Sequence, residues 1–268
     1  MVGRAQIIRP VEGPVLHQGW LHPALFHSIH TLFPQRAVQA CAPYAVPLGM
    51  PKLDSKAQAF FAKLWPKRNH PARFSVPVWP SHPLPFDSDS QALVWSPLWL
   101  HHVENPLFQV QEWLRVLKPQ GGVFFSCFGP DTAQELRGFA AELGTTLPDF
   151  PDMHDLGDLL GQNGFSDPVM EMEKLTLTYS TPHALLADFR ALLGRNVPSA
   201  EKGLLGKGRY AAALNRLAQE RQNNTARIPL TLELIYGHAW KVPKLTKPAV
   251  GVVKLGDIGG RKQGKTCD

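Results

Sequence analysis

The sequence is short of cysteine. Cys41, Cys127 and Cys267 are all it has, an odd number with no CxxC pair. That excludes a disulfide framework and a zinc knuckle, and it suits a reducing compartment, so a cytoplasmic location is expected. No apolar run approaches the roughly 20 residues that a membrane-spanning helix needs, and the N-terminus carries no basic-then-apolar leader. Glycine is scarce early: only Gly3, Gly13, Gly19 and Gly49 fall in the first hundred residues, which hold 14 of the 25 prolines. Chain of that kind is poorly suited to a glycine-rich phosphate loop, and neither a P-loop nor a Ser-His-Asp arrangement is found. His17, His22, His27 and His30 cluster without an acidic neighbour, so they are read as core or surface residues and no metal site is expected.

What is present is enough hydrophobic residue, 44% of 268, to build one sizeable core. The net charge of +6 is unevenly placed. Between Lys241 and Asp268 seven basic residues face two acidic ones, so this tail holds +5 of the total. The remaining body is near neutral, which argues against a nucleic-acid face. The expected organisation is a domain over 1–240 followed by a solvated basic tail over 241–268.

Regular signals begin near Leu84. "ALVW" (92–95) reads as a buried strand. Asn105 is placed to cap a helix with Pro106 at its first turn, and Leu107, Val110, Trp113, Leu114 and Leu117 recur at helical spacing. Gly121-Gly122 is read as a turn into "VFFSCF" (123–128), a buried strand, completing a βαβ unit. Asp131 or Thr132 opens a further helix through Leu143, and Asp152 caps another that Asn163-Gly164 stops. "KLTLTY" (174–179) and most of "IPLTLELIY" (228–236) alternate as strands with one polar face. Helices are expected from Thr181-Pro182 and over Tyr210 to Leu217. Trp95, Trp99 and Trp113 are read as core. Buried strands giving way to alternating ones, with helices between, predict an α/β fold: a mostly parallel, Rossmann-like sheet with an antiparallel edge.

The run from Leu84 to Arg137, with "FPDMHDLGDLLGQNGF" (150–165), "LTLTYSTPHALLADFRALLGRN" (175–196) and "YGHAW" (236–240), resembles the malonyl-ACP O-methyltransferases of biotin synthesis, which are class I SAM-dependent methyltransferases. The motifs "FGPDT", "DMHDLGD" and "YGHAW" carry that resemblance. It implies a seven-stranded sheet with S-adenosyl-L-methionine at the carboxyl ends of the first strands. It also implies a helical segment ahead of strand one that closes over the substrate, for which about ten residues stand in this chain.

Carried over residue by residue, the resemblance places the cofactor against His17 and Gly19 of "VLHQGW", against Cys41 of "AVQACAP" and against Ser96-Pro97. Each departs from the family pattern. His17 and Cys41 stand where acidic residues are usual, Trp20 stands where a glycine is, and Pro80-Ser81 replaces an aspartate near the adenine. No catalytic base is assigned, because a carboxylate substrate is already an ionised nucleophile. The implied partner is an acyl carrier protein. Arg190, Arg195, Lys202, Lys207, Arg209, Arg216 and Arg221 form a basic stretch to receive it, with Arg190, Arg195, Lys207 and Arg209 the leading candidates. Two functions stay open: methylation of the free carboxylate of a malonyl thioester, or a non-catalytic homologue that has lost the cofactor and keeps the carrier-protein surface.

Overall fold

The computed structural model describes residues 10–19, 29–42, 75–77, 82–193, 207–220 and 226–243. Seven strands form one sheet: β1 (Val15–Gln18), β2 (Val38–Ala42), β3 (Ser75–Pro77), β4 (Gln91–Ser96), β5 (Leu117–Phe128), β6 (Phe165–Tyr179) and β7 (Ile228–Lys241). Their spatial order is β3-β2-β1-β4-β5-β7-β6. The first five run parallel, and β7 is inserted antiparallel between β5 and β6. The expected α/β architecture and its antiparallel edge are therefore both present.

Five α-helices lie wholly within the described residues: α1 (Pro106–Val116), α2 (Arg137–Glu142), α3 (Met153–Gln162), α4 (Pro182–Leu193) and α5 (Lys207–Gln219). α1 begins where its sequence says it should. Asn105 Oδ1 accepts the Phe108 N–H, and Pro106 occupies the first turn, where its missing donor costs nothing. α3 is capped by Asp152, which accepts the His154 N–H at 2.7 Å, and it ends at Asn163 before Gly164.

Alternation across the sheet feeds separate apolar layers. Leu16, Val94, Val123, Phe125 and Ile235 pack with Trp113 of α1 and with Leu156 and Leu160 of α3. On the opposite face Val15, Leu93, Trp95 and Phe124 meet Ile29 and Phe33. A third layer, around Phe128, Phe139, Leu185, Phe189, Leu217 and Leu230, joins α2, α4 and α5 to the ends of β5 and β7.

Two local expectations are corrected. The bend before the buried part of β5 is made by Gln120, at φ +64°, while Gly121 and Gly122 lie within the strand. A Cβ at Gly122 would stand 2.7 Å from the Trp240 ring, so packing selects that glycine. The helix expected from Asp131 or Thr132 starts later. Residues 130–133 form a turn with Ala133 at φ +57°, a short 3-10 segment covers Gln134–Leu136, and α2 follows.

The amino ends of the strands are stapled by long cations. Arg36 Nη2 donates to Pro10 O at 2.7 Å, and Lys118 Nζ donates to Glu12 O at 3.0 Å. Lys241, the last residue of β7, reaches Asp89 Oδ1 and the carbonyls of Leu114 and Leu117 at 2.6–2.7 Å. The sequence after Pro243, most of the expected tail, lies outside the described residues.

Candidate functional site at the carboxyl edge of the sheet

β1 ends in His17 and Gln18, both buried, and then Gly19 at φ +127°. A Cβ on Gly19 would lie 3.3 Å from Pro97 O and from Trp99 Cβ, so both conformation and space call for glycine. The Gly19 N–H donates to Cys41 O at 3.0 Å, extending the ladder one residue beyond the strand.

Gln18 is the feature that sequence reasoning missed. Its Nε2 donates to Gln109 Oε1 at 2.9 Å, and its Oε1 accepts from Gln109 Nε2 and from the Trp113 indole N–H. Gln109 and Trp113 stand four apart on α1, hence on one helical face. A polar Gln109 within that apolar face was the available signal.

Cys41 belongs to the core. It is 1% exposed and packs in the layer with Leu16, Leu84 and Trp113, and burial pushes its thiol far up, keeping it neutral. At the position that the resemblance sets against the cofactor, where an acidic residue is usual, Cys41 supplies apolar volume to the core. Ser96, at the end of β4, is fully buried, and its Oγ makes no hydrogen bond. The indole N–H of Trp99, three residues on, is in the same condition.

After Trp99 the chain makes a 3-10 turn, Leu100–His102. The His101 ring lies 4.1 Å from the His102 ring, 4.6 Å from Phe128 and 6.1 Å from Phe150, centroid to centroid. Its Nδ1 accepts the Phe128 N–H at 3.4 Å. Burial, with repulsion from His102, lowers the His101 pKa to about 2, and burial lowers that of His102 to about 4. Both imidazoles are neutral in ordinary buffers.

The sequence motifs beyond β4 act mainly as braces. In "FGPDT" the Gly129 N–H donates to Glu233 O, and the Asp131 N–H donates to Glu233 Oε2 at 2.6 Å. Thr132 Oγ1 bonds both backbone groups of Glu233. A Cβ at Gly129 would sit 2.7 Å from Glu233 Cδ, so this buried carboxylate dictates the glycine. Asp131 itself pairs with Lys174 at 2.6 Å, which lowers the aspartate's pKa through their hydrogen bond and charge. In "YGHAW", Gly237 lies under the Phe125 ring, His238 stacks on Phe124 at 4.9 Å, and Trp240 covers Gly122. In "DMHDLGD", Asp152 is the cap and Leu156 the core contact.

Ahead of β4, Glu112 and Arg115 form a second clamp unnoticed in the sequence. Glu112 accepts the Leu84 N–H and both ends of a bidentate Arg115 pair, while Arg115 also donates to Leu84 O and Phe86 O. It fixes the "LPF" turn that leads into β4.

Of the basic residues, Arg190 is exposed on α4. Arg209 on α5 donates through Nε to Glu142 O, a carbonyl at the end of α2, and lies against Gly144. Arg216 packs on Gly138. Lys207 begins α5, with its side chain outside the described residues, and Arg195, Lys202, Arg221, His22, His27 and Pro80-Ser81 lie outside them altogether.

A methyltransferase-domain family pattern matches residues 57–125. The malonyl-[acyl-carrier protein] O-methyltransferase of Halorhodospira halophila is 42% identical over 68% of this chain and 63% of its own length. The enzyme of that name from Gallionella capsiferriformans is 38% identical over 64% and 60%. The chain thus spans about three fifths of the length of the curated relatives it matches. Among solved structures, BH2331 of Bacillus halodurans, a candidate methyltransferase, matches 90% of this chain and 98% of its own with TM-score 0.56 at 14% identity. The YcgJ protein of Bacillus subtilis matches 90% and 97% with TM-score 0.54 at 13% identity. The chain has the class I methyltransferase fold. The resemblance read from "FGPDT", "DMHDLGD" and "YGHAW" is borne out by these relatives.

In a methyltransferase of this fold the described residues fit S-adenosyl-L-methionine on one side. Gly19 gives the tight turn at the end of β1, and the buried Ser96 Oγ and Trp99 indole N–H have no protein partner at the adjoining end of β4. At Cys41 no carboxylate is offered, and with it go charge-assisted hydrogen bonds worth about 1.5–3 kcal/mol each. Among the described residues no helix is long and apolar enough to cross a membrane.

Proposed function

We propose that this chain methylates the free carboxylate of a malonyl thioester borne by an acyl carrier protein, using S-adenosyl-L-methionine, as a step of biotin synthesis. The observation that carries the reading is the union of a seven-stranded β3-β2-β1-β4-β5-β7-β6 sheet with 42% identity to a protein of that name. The cofactor supplies a methyl group activated by a sulfonium. The residues that would hold it are Gly19, through its backbone, and Ser96 and Trp99.

The protein's own contribution is placement and exclusion of water. A carboxylate is ionised without help, so no general base is required, and orientation with desolvation supplies most of the acceleration. The aromatic surround of Phe128, Phe150, Trp99 and two neutral imidazoles provides an apolar, uncharged setting for that anion. Arg190, with Arg195 beyond the described residues, is the surface assigned to the acidic carrier.

The test is methyl transfer from isotopically labelled S-adenosyl-L-methionine to malonyl-acyl carrier protein, followed by mass spectrometry of the acyl group. A labelled methyl ester on the malonyl group supports the reading. Binding of malonyl-acyl carrier protein without transfer would favour the non-catalytic alternative, which the apolar role of Cys41 recommends. Reversing Arg190 and Arg195 to Glu should weaken carrier binding and its salt dependence, whereas reversing Lys254 and Lys262 should not.

A further inference from the structure

Three polar groups within the six residues Ser96 to His101 are buried and make no hydrogen bond: Ser96 Oγ, Trp99 Nε1 and His101 Nε2. A buried donor left unmet costs about 1–3 kcal/mol, so one is rarely kept without a use. Ser96 and Trp99 adjoin the Gly19 turn, and the cofactor reading accounts for them. His101 lies further along, between the end of β5 and Phe150, and needs a separate account.

Its hydrogen-bond state is fixed by the backbone. Because Nδ1 accepts the Phe128 N–H, the proton of the neutral ring resides on Nε2. The ring is held by His102, Phe128 and Phe150, so this N–H is a preoriented donor. His102 is neutral as well, and it is burial together with this second ring that sets the state of His101. A neutral N–H donor in an apolar surround favours an anionic oxygen acceptor over a cation.

The geometry points to His101 as a substrate-binding residue whose Nε2–H donates to one carboxylate oxygen of the malonyl group, leaving the other oxygen as the nucleophile. This rests on the proposed function above. The role makes His101 a discriminator between acyl groups with a free terminal carboxylate and those without one. An acetyl thioester offers no oxygen at that place, so it leaves the donor unmet.

Two substitutions separate this role from a structural one. His101→Gln puts an amide donor near the position of Nε2, while His101→Asn puts an amide oxygen near Nδ1 and offers nothing at Nε2. Binding of malonyl- and acetyl-acyl carrier protein to the full chain is measured by calorimetry. We expect malonyl binding to weaken about tenfold in H101N and to stay within about threefold of wild type in H101Q, with acetyl binding unchanged in both; tenfold corresponds to about 1.4 kcal/mol. If wild type prefers malonyl and H101N binds it equally well, the assignment to His101 is overturned and the proposed function stands. If wild type shows no preference for malonyl, the proposed function fails and the assignment falls with it. Should H101N fail to fold, the Nε2–H resonance of His101 in the wild-type protein takes its place. It should move on addition of malonyl- but not acetyl-acyl carrier protein, and an unmoved signal overturns the assignment.

Discussion

Replacing Gln18 with Leu restores apolar character one residue before the Gly19 turn, yet the structure says that the change destabilises. Gln18 is 2% exposed and engages three groups: both ends of the Gln109 amide and the Trp113 indole N–H. Truncating it strands Gln109, itself 3% exposed, and the indole. At about 1–3 kcal/mol for each buried polar group left unmet, less what Leu gains by burial, the net loss is roughly 3 kcal/mol. At about 2–4 °C per kcal/mol for a protein of this size, the melting temperature falls by roughly 6–12 °C. Gln109→Leu should behave alike. The double substitution Q18L/Q109L removes the amide pair together and leaves only the indole unmet, so it should lose less than the sum of the single changes, by more than about 1 kcal/mol. Urea denaturation of all four proteins measures this. Additive losses would show that the two amides do not interact, and the account of the β1 terminus would be wrong.

The Glu112 clamp predicts an acid signature. Burial opposes its charge, but the Arg115 hydrogen bond, the Leu84 N–H and the Arg115 charge together hold its pKa below the ordinary 4.5. The stability it contributes is complete above that value and is lost as pH falls through the lowered one, so Glu112→Gln should remove part of the acid-side slope in a melting-temperature profile. Gly237→Ala should cost about 1–3 kcal/mol by overpacking, because the added methyl would run into the Phe125 ring; a neutral result in denaturant titration would disprove that contact. Cys41→Asp should lower stability by roughly 3–5 kcal/mol without tightening S-adenosyl-L-methionine binding, since it places an unpaired carboxylate in the core; tighter binding by calorimetry would return Cys41 to the ligand edge. In the folded protein Cys41 and Cys127, both held neutral by burial, should resist a thiol-labelling reagent that modifies them after unfolding.

The elements that sequence revealed best are those with a local cause. Asn105-Pro106 and Asp152 announce their helices because a cap is chemistry within three residues. The start of α2 was misplaced because the turn before it is imposed from about a hundred residues away, by Glu233. Gly122 was read as a turn residue for the same reason: the ring that requires it is Trp240. At the site, Gly19 and Ser96 were found at the strand ends that the resemblance assigned them. The packing of Cys41, in register with Gln18, was not legible, since one residue of register decides which face of a strand meets the core. Gln18, Glu112 and His101 carried no motif, and each has a partner 27 to 95 residues away.

The placement of β7 governs how this protein is made. The strand fills the slot between β5 and β6, but about a hundred residues separate the end of β5 at Phe128 from the start of β7 at Ile228. At ribosomal rates of about 5–20 residues per second, the nascent chain carries an unpaired β5 margin for roughly 5–20 seconds. That margin is "VFFSCF", an uncharged, β-prone hexapeptide of the kind that seeds aggregation. Synthesis therefore passes through a vulnerable interval that closes when "LTLELIYGHAW" arrives, and a hydrophobic-segment chaperone is what should rescue yield in a producing cell.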